Sequence, residues 1–238
     1  ETEESRAQER TPEKKKIEDP SFLEIKDMRS KLSKKHAAML MVLGNEAAAQ
    51  GDVFKAIDYL RDADAQMSKF FEEEDPTSQF SLLSQNDEVV ILSKNIVQHL
   101  SRYYESVLQI HLKTRKNFSD IGEWQQAEDE TKMLEQVLES LIQLKLHSLW
   151  RFEKLKKTEA EEHPDLVPLY EQLLNYVSDS QRSGDYYFSL ARCYARKGEH
   201  EKALMFGKKA QEKLGAYKVK EFLQEIEKYK TKSDQSSE

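Results

Sequence analysis

With seven glycines, five prolines and 34% charged residues in 238 positions, the chain is too poor in breakers for a strand-and-turn fold and long enough to bury a sizeable core in one domain or two. The net charge of −7 is spread in mixed blocks, which argues against general nucleic-acid binding, since that requires a basic face. The single cysteine, Cys193, excludes a disulfide framework within the chain and makes a reducing intracellular compartment, cytoplasm before nucleus, the expected setting; no run of about 18 apolar residues spans a membrane and no apolar signal-peptide core follows the first residues.

Residues 1–19 hold only Ala7 and Ile17 as apolar residues among many charges, and 231–238 (TKSDQSSE) has a similar composition. Burial in such segments is too small to offset ordering entropy, so both are expected to be disordered tails around a helical domain over 20–230. The first helix is expected from Pro20-Ser21, with Ser21 as N-cap and Glu24 completing a capping box, to about Gln50. Gly51-Asp52 breaks it. A second helix follows over about 53–73, with Ala56, Ile57, Leu60, Ala63, Ala65 and Met67 on one side, and ends at the acidic run before Pro76. Residues 75–86 read as a connector longer than helical hairpins normally need. A third helix is expected over 87–117, closed by Lys113, Arg115 and Lys116. A fourth, over 123–158, is apolar across more than one side and should pack on two neighbours. Pro164 and Pro168 open a helix to about Asp179, followed by helices over 184–197, 200–213 and 216–230. The expected architecture is all-α, with seven or eight helices, the last covering the hairpin before it.

One pattern occurs twice with identical spacing. From Gly44 it is seven residues to Gly51, five more to Ala56 and seven more to Ala63; from Ala191 the same steps reach Gly198, Ala203 and Ala210. Small residues in this register allow two antiparallel helices to approach closely, and the glycine supplies a left-handed backbone at the turn. Gly122 and Ala127 repeat the central step, but Thr114 and Arg115 stand where a leucine and a small residue are expected, so this middle repeat is degenerate. Segment 183–213, with Tyr187, Leu190-Ala191, Tyr194, Gly198, Ala203 and Ala210, resembles the tetratricopeptide repeat (TPR) family. Segment 37–67 resembles it too, with Leu40 in place of the aromatic and Ala47 in place of the tyrosine.

The resemblance implies a helical-hairpin solenoid whose first helices line a concave groove for a partner's peptide or helix. Carried over by position, the groove residues are Met41, Asn45 and Ala49 from the first repeat, Phe188, Arg192 and Arg196 from the last, and Lys116 from the middle one. Asn45, Arg192 and Arg196 suit an acidic or C-terminal peptide through charge-assisted hydrogen bonds. The TPR subset that grips chaperone C-termini needs a lysine where Met41 stands, and a lysine and an arginine where Asp185 and Ser189 stand, which argues against a chaperone tail as partner.

Other constellations are weaker. Lys113, Arg115, Lys116, Lys154, Lys156 and Lys157 would suit phosphate groups, RNA or anionic lipid, but Glu159, Glu161 and Glu162 follow them closely. The six histidines have no metal-ligand spacing, Cys193 has no flagged base, and glycine-rich phosphate loops and nucleophile-elbow motifs are absent. Trp124 and Trp150 read as core or interhelix anchors. No metal, cofactor or small-molecule substrate is expected, and no direct membrane contact. The leading reading is a non-catalytic adaptor or scaffold module that binds another protein. Segment 36–68 also resembles one hairpin of the MIT-type three-helix bundles that bind helical tails of membrane-remodelling proteins, and an RNA- or lipid-binding helical domain is a further alternative.

Overall fold

A computed structural model describes residues 20–72, 88–153, 155–215 and 217–235; the expected tail at 1–19 and the expected connector at 75–86 lie outside these residues. Among the described residues there is no strand. The elements are α1 (Pro20–Ala49), α2 (Val53–Glu72), α3 (Glu88–Asp120), α4 (Trp124–Phe152), α5 (Lys157–Glu161), a 3-10 turn (Pro164–Leu166), α6 (Val167–Leu173), α7 (Ser180–Arg196), α8 (His200–Leu214) and α9 (Tyr217–Gln235). The helix α9 thus runs five residues past its expected end. Helix α1 begins at Pro20, so Ser21 stands inside the first turn, and Pro20 takes the position where a missing N–H costs nothing.

Three hairpins, α1/α2, α3/α4 and α7/α8, close on the same turn. Gly51, Gly122 and Gly198 have φ of 85°, 81° and 84°. After each, the next residue's N–H returns to a carbonyl five residues back: Asp52 to Ala47 at 2.9 Å, Glu123 to Phe118 at 2.9 Å, Glu199 to Tyr194 at 3.0 Å. Each glycine N–H also bonds the carbonyl three residues back. This pair of bonds is the Schellman closure, which satisfies carbonyls that a helix end leaves orphaned. The middle hairpin, degenerate in sequence, shares the backbone of the other two.

The difference in the middle hairpin lies one helical layer away from the turn. At the close-approach position of the first hairpin, a Cβ on Gly44 would stand 3.0 Å from Leu60 and 3.2 Å from the Ala56 carbonyl. In the second hairpin Arg115 occupies the register of Gly44 and Thr131 that of Leu60. The Arg115 Nε donates to Thr131 Oγ1 at 2.8 Å, and its guanidinium lies over the Tyr176 ring. A polar pair replaces a small–large pair at the same interhelix contact. In the third hairpin, Ala191 and Ala203 are fully buried. Tyr187 and Tyr194 both stack on Phe206 of α8, so they pack within the hairpin as well as outward, where the Tyr194 hydroxyl donates to Glu171.

The hairpins do not follow one another regularly. Helix α3 packs on α2 and more extensively on α4; α7 meets the preceding chain mainly through α6 and the 3-10 turn. Helix α4 buries Leu134, Leu138, Leu141, Ile142, Leu144 and Leu149 against α3, α5 and α6, as its wide apolar arc requires. It ends at Phe152, not at 158. Neither glycine nor proline stops it. Lys156 turns extended, its N–H bonds the Glu159 carboxylate at 2.9 Å, and α5 folds back to bury Ala160. Helix α6 ends at Leu173, short of Asp179, in tight turns where the Asn175 and Tyr176 N–H groups return three residues to Gln172 and Leu173, and Asp179 is instead the N-cap of α7: its Oδ1 accepts from Arg182 N at 2.7 Å. Helix α7 therefore begins before Gly184, whose missing side chain makes room for Leu214. Helix α9 sets Val219 and Ile226 into the core and Leu223 against Gly207.

An added Cβ at Gly198 would meet nothing within 4 Å, so substitution there carries only the left-handed backbone penalty. Gly198→Ala should lower the unfolding free energy by about 1–2 kcal/mol in urea titration, and Gly198→Asn should lose less. Equal loss for both variants would place the cost elsewhere.

Candidate functional site

The sequence-derived groove residues fall into separate neighbourhoods. Met41 packs against the core from α1, and Asn45 accepts a hydrogen bond from the Tyr103 hydroxyl at 3.2 Å, tying the first hairpin to α3. Lys116 is exposed near the end of α3. Phe188, Arg192 and Arg196 share one face of α7. Phe188 meets Phe222 of α9 edge-on, and Arg192 lies over Phe188. The acidic α5 segment already occupies this face. Arg192 Nε donates to Glu162 at 2.9 Å, and Arg196 stands 3.7 Å from Glu162 and 4.0 Å from Glu159. The glutamates read from sequence as neutralising a basic run thus neutralise, in space, two arginines of a different helix. A cavity of about 500 Å³ remains beside them, bounded by Phe222 and Ile226.

The larger concavity lies elsewhere, on the second helices of the first two hairpins. A trough of about 720 Å³ runs between α2 and α4, with Leu100 and Tyr104 of α3 and Leu144 of α4 in its apolar lining. Its walls carry Arg61, Asp64 and Ser68 on one side and Gln136, Glu139, Ser140, Gln143 and His147 on the other. A second cavity of about 700 Å³ adjoins α5 and is lined by Leu146, Trp150, Lys157, Ala160 and Glu161. Gln143 and His147 line both cavities, so the two flank the same stretch of α4, called the α4 strip below. Gln136, Ser140, Gln143, His147 and Trp150 recur at three and four, the spacing of one helix face. That polar stripe between apolar runs was the available sequence signal.

Two ion-pair clusters hold the walls. Arg151, its side chain 2% exposed, crosses from α4 to Asp64 of α2 at 2.5 Å and also donates to Ser68. Arg182 of α7 bridges to Glu135 at 2.7 Å and to Glu139, which also accepts from the Tyr186 hydroxyl. Burial pushes the Glu135 carboxyl above its ordinary range, more than Arg182 lowers it. Burial, together with the bond to Glu139, raises the Tyr186 phenol to about 12. These are structural braces, joining helices that share little direct backbone contact.

Trp124, read from sequence as an anchor, is 70% exposed, and Trp150 is also on the surface. Trp124 opens α4 straight after the Gly122 turn, before the helix reaches its partner. Cys193 is fully buried, its Sγ 3.6 Å from the Glu161 carbonyl, and burial raises the thiol to about 12, so it stays protonated at neutral pH. His111 is buried with its Nδ1 2.6 Å from Glu130. Among the described residues, no group of three or more His, Cys, Asp or Glu is placed to hold a metal ion, and no helix is long and apolar enough to cross a membrane. No protein-family model matches the chain, and no curated protein matches it either.

Removing one partner of a buried ion pair leaves the other charge stranded. Asp64→Ala should therefore cost about 3 kcal/mol of stability, while the double variant Asp64→Leu/Arg151→Met should recover most of that loss in urea titration. Equal destabilisation by the single and double variants would contradict the brace.

Proposed function

We propose that this chain is a non-catalytic interaction module of TPR-like hairpins that binds a segment of another protein, a peptide or a helix, in the strip across α4. The observation that carries the reading is the pair of cavities that flank α4 and share Gln143 and His147 in their linings. An apolar floor between hydrogen-bonding walls suits a peptide, whose side chains need apolar contact and whose backbone needs polar partners. Trp150 at one end supplies the kind of aromatic anchor that concentrates binding energy.

The shared Schellman turn supports a hairpin array, and the more extensive packing of α3 on α4 than on α2 favours a continuous array over a separate MIT-like bundle. The RNA or anionic-lipid alternative is weakened because Arg115 is engaged by Thr131 and Tyr176. An acidic peptide on Phe188, Arg192 and Arg196 would have to displace Glu162, which makes that face a second choice.

Affinity capture should retain a partner on the wild-type chain and lose it on Gln143→Arg/Trp150→Ala, with helicity and melting temperature preserved. Loss of that partner on Asn45→Ala/Arg192→Glu/Arg196→Glu instead, with the α4 variant still binding, would move the site to the first-helix surface.

A further inference from the structure

Helix α1 has two apolar faces, and among the described residues only one is buried in the fold. Ala37, Leu40 and Ala47 are buried toward the core, and Gly44 meets α2. On the opposite side Met28, Leu32, Met39 and Val42 follow one another at steps of four, seven and three, and all are more than half exposed, Leu32 at 69%. Four large apolar side chains on one helix face form a stripe, unlike the scattered single exposures that every surface carries.

The stripe borders a trough. Leu32 and Met39 line a cavity of about 400 Å³ with Ser33, Lys35, His36 and, across from them, Gln66 of α2. Counted back from the turn glycine, Leu32 stands in the register of Tyr103 and Met28 in that of His99. In α3 the Tyr103 position is where that helix reaches the preceding hairpin, through Asn45. Helix α1 thus carries, at its outer side, a position that in α3 is used for stacking on another helix.

The surrounding charge selects the occupant. From Lys26 to His36 the sequence has five cations and one acid. Lys34 is held by Glu88, whereas Lys35 and His36 border the trough itself. A second copy of α1 laid antiparallel over the middle of the stripe would bring Lys35 onto its own counterpart, a like-charge contact that disfavours the pairing. Between Leu32, Met39 and Gln66 lies a cavity that a side chain of an inserted helix can fill and a flat bilayer surface cannot. We propose that the outer face of α1 docks an amphipathic helix of a partner protein, apolar on one side and flanked by acidic residues. This surface is separate from the strip across α4.

The test uses the full chain and two labelled helical peptides with the same leucine stripe, one flanked by glutamates and the other by lysines, read by fluorescence anisotropy. The glutamate-flanked peptide should bind, more weakly as salt rises, and the lysine-flanked one should bind at least about tenfold more weakly. Leu32→Asp and Met39→Asp should each lower affinity by about tenfold or more, the loss expected when a buried apolar side chain leaves a contact. Lys35→Glu should narrow the preference between the two peptides. Because these positions are exposed, circular dichroism and melting temperature should be unchanged. Gln143→Arg/Trp150→Ala should leave peptide binding intact, which separates failure of this surface from failure of the α4 strip. Equal binding of both peptides, or no effect of Leu32→Asp and Met39→Asp, would overturn the proposal. So would sedimentation with phosphatidylserine vesicles in place of peptide binding, or concentration-dependent self-association abolished by Leu32→Asp.

Discussion

Each hairpin depends on a glycine held at positive φ. The left-handed residue at Gly51, Gly122 or Gly198 lets the chain reverse within two residues, so the second helix starts in fixed register with the first. With register fixed, the position seven residues before the glycine faces the position nine residues after it in the first two hairpins. That contact holds Gly44 against Leu60, and Arg115 against Thr131. The turn is therefore conserved in geometry across the three hairpins, while the contact it creates is filled by different chemistry.

Where the hairpins meet each other, polar braces supplement the packing of α2 on α3. Arg151 with Asp64, and Arg182 with Glu135 and Glu139, join α4 to α2 and to α7. Long side chains span gaps that leucines would not close, and the gap between α2 and α4 remains as a trough. The same feature that makes the array irregular thus leaves a concave surface. Such braces are sensitive to partner loss, because a desolvated charge without its counterion is costly.

Much of the fold was legible because it rests on local signals. The turn glycines, the alanines at their fixed offsets and the three-and-four spacing of leucines are all written within one hairpin. What was not legible depends on residues distant in sequence. Helix α4 stops at Phe152 without a breaker because α5 packs back on it, and Thr114-Arg115 looked like a failed repeat because the compensating Thr131 lies on another helix. Asp179 has the chemistry of a cap, but only the fold shows that it starts α7 and does not end α6. The site was less legible still. Arg192 and Arg196 have the spacing of a binding face, yet their charge is answered by glutamates about thirty residues earlier in the chain. The α4 strip arises only when α2 and α5 stand on either side of it.

Helix α3 is completed by α4, on which it packs more extensively than on α2. The most direct measurement is urea unfolding of a fragment ending at Asp120, followed by circular dichroism and compared with the full chain. The fragment should lose much of the α3 helicity and unfold without a cooperative transition, because His111 loses Glu130, Arg115 loses Thr131 and α3 loses the helix it packs on most extensively. A fragment that keeps its full helicity and unfolds in one sharp transition would contradict it, and would make α1, α2 and α3 an independent three-helix unit.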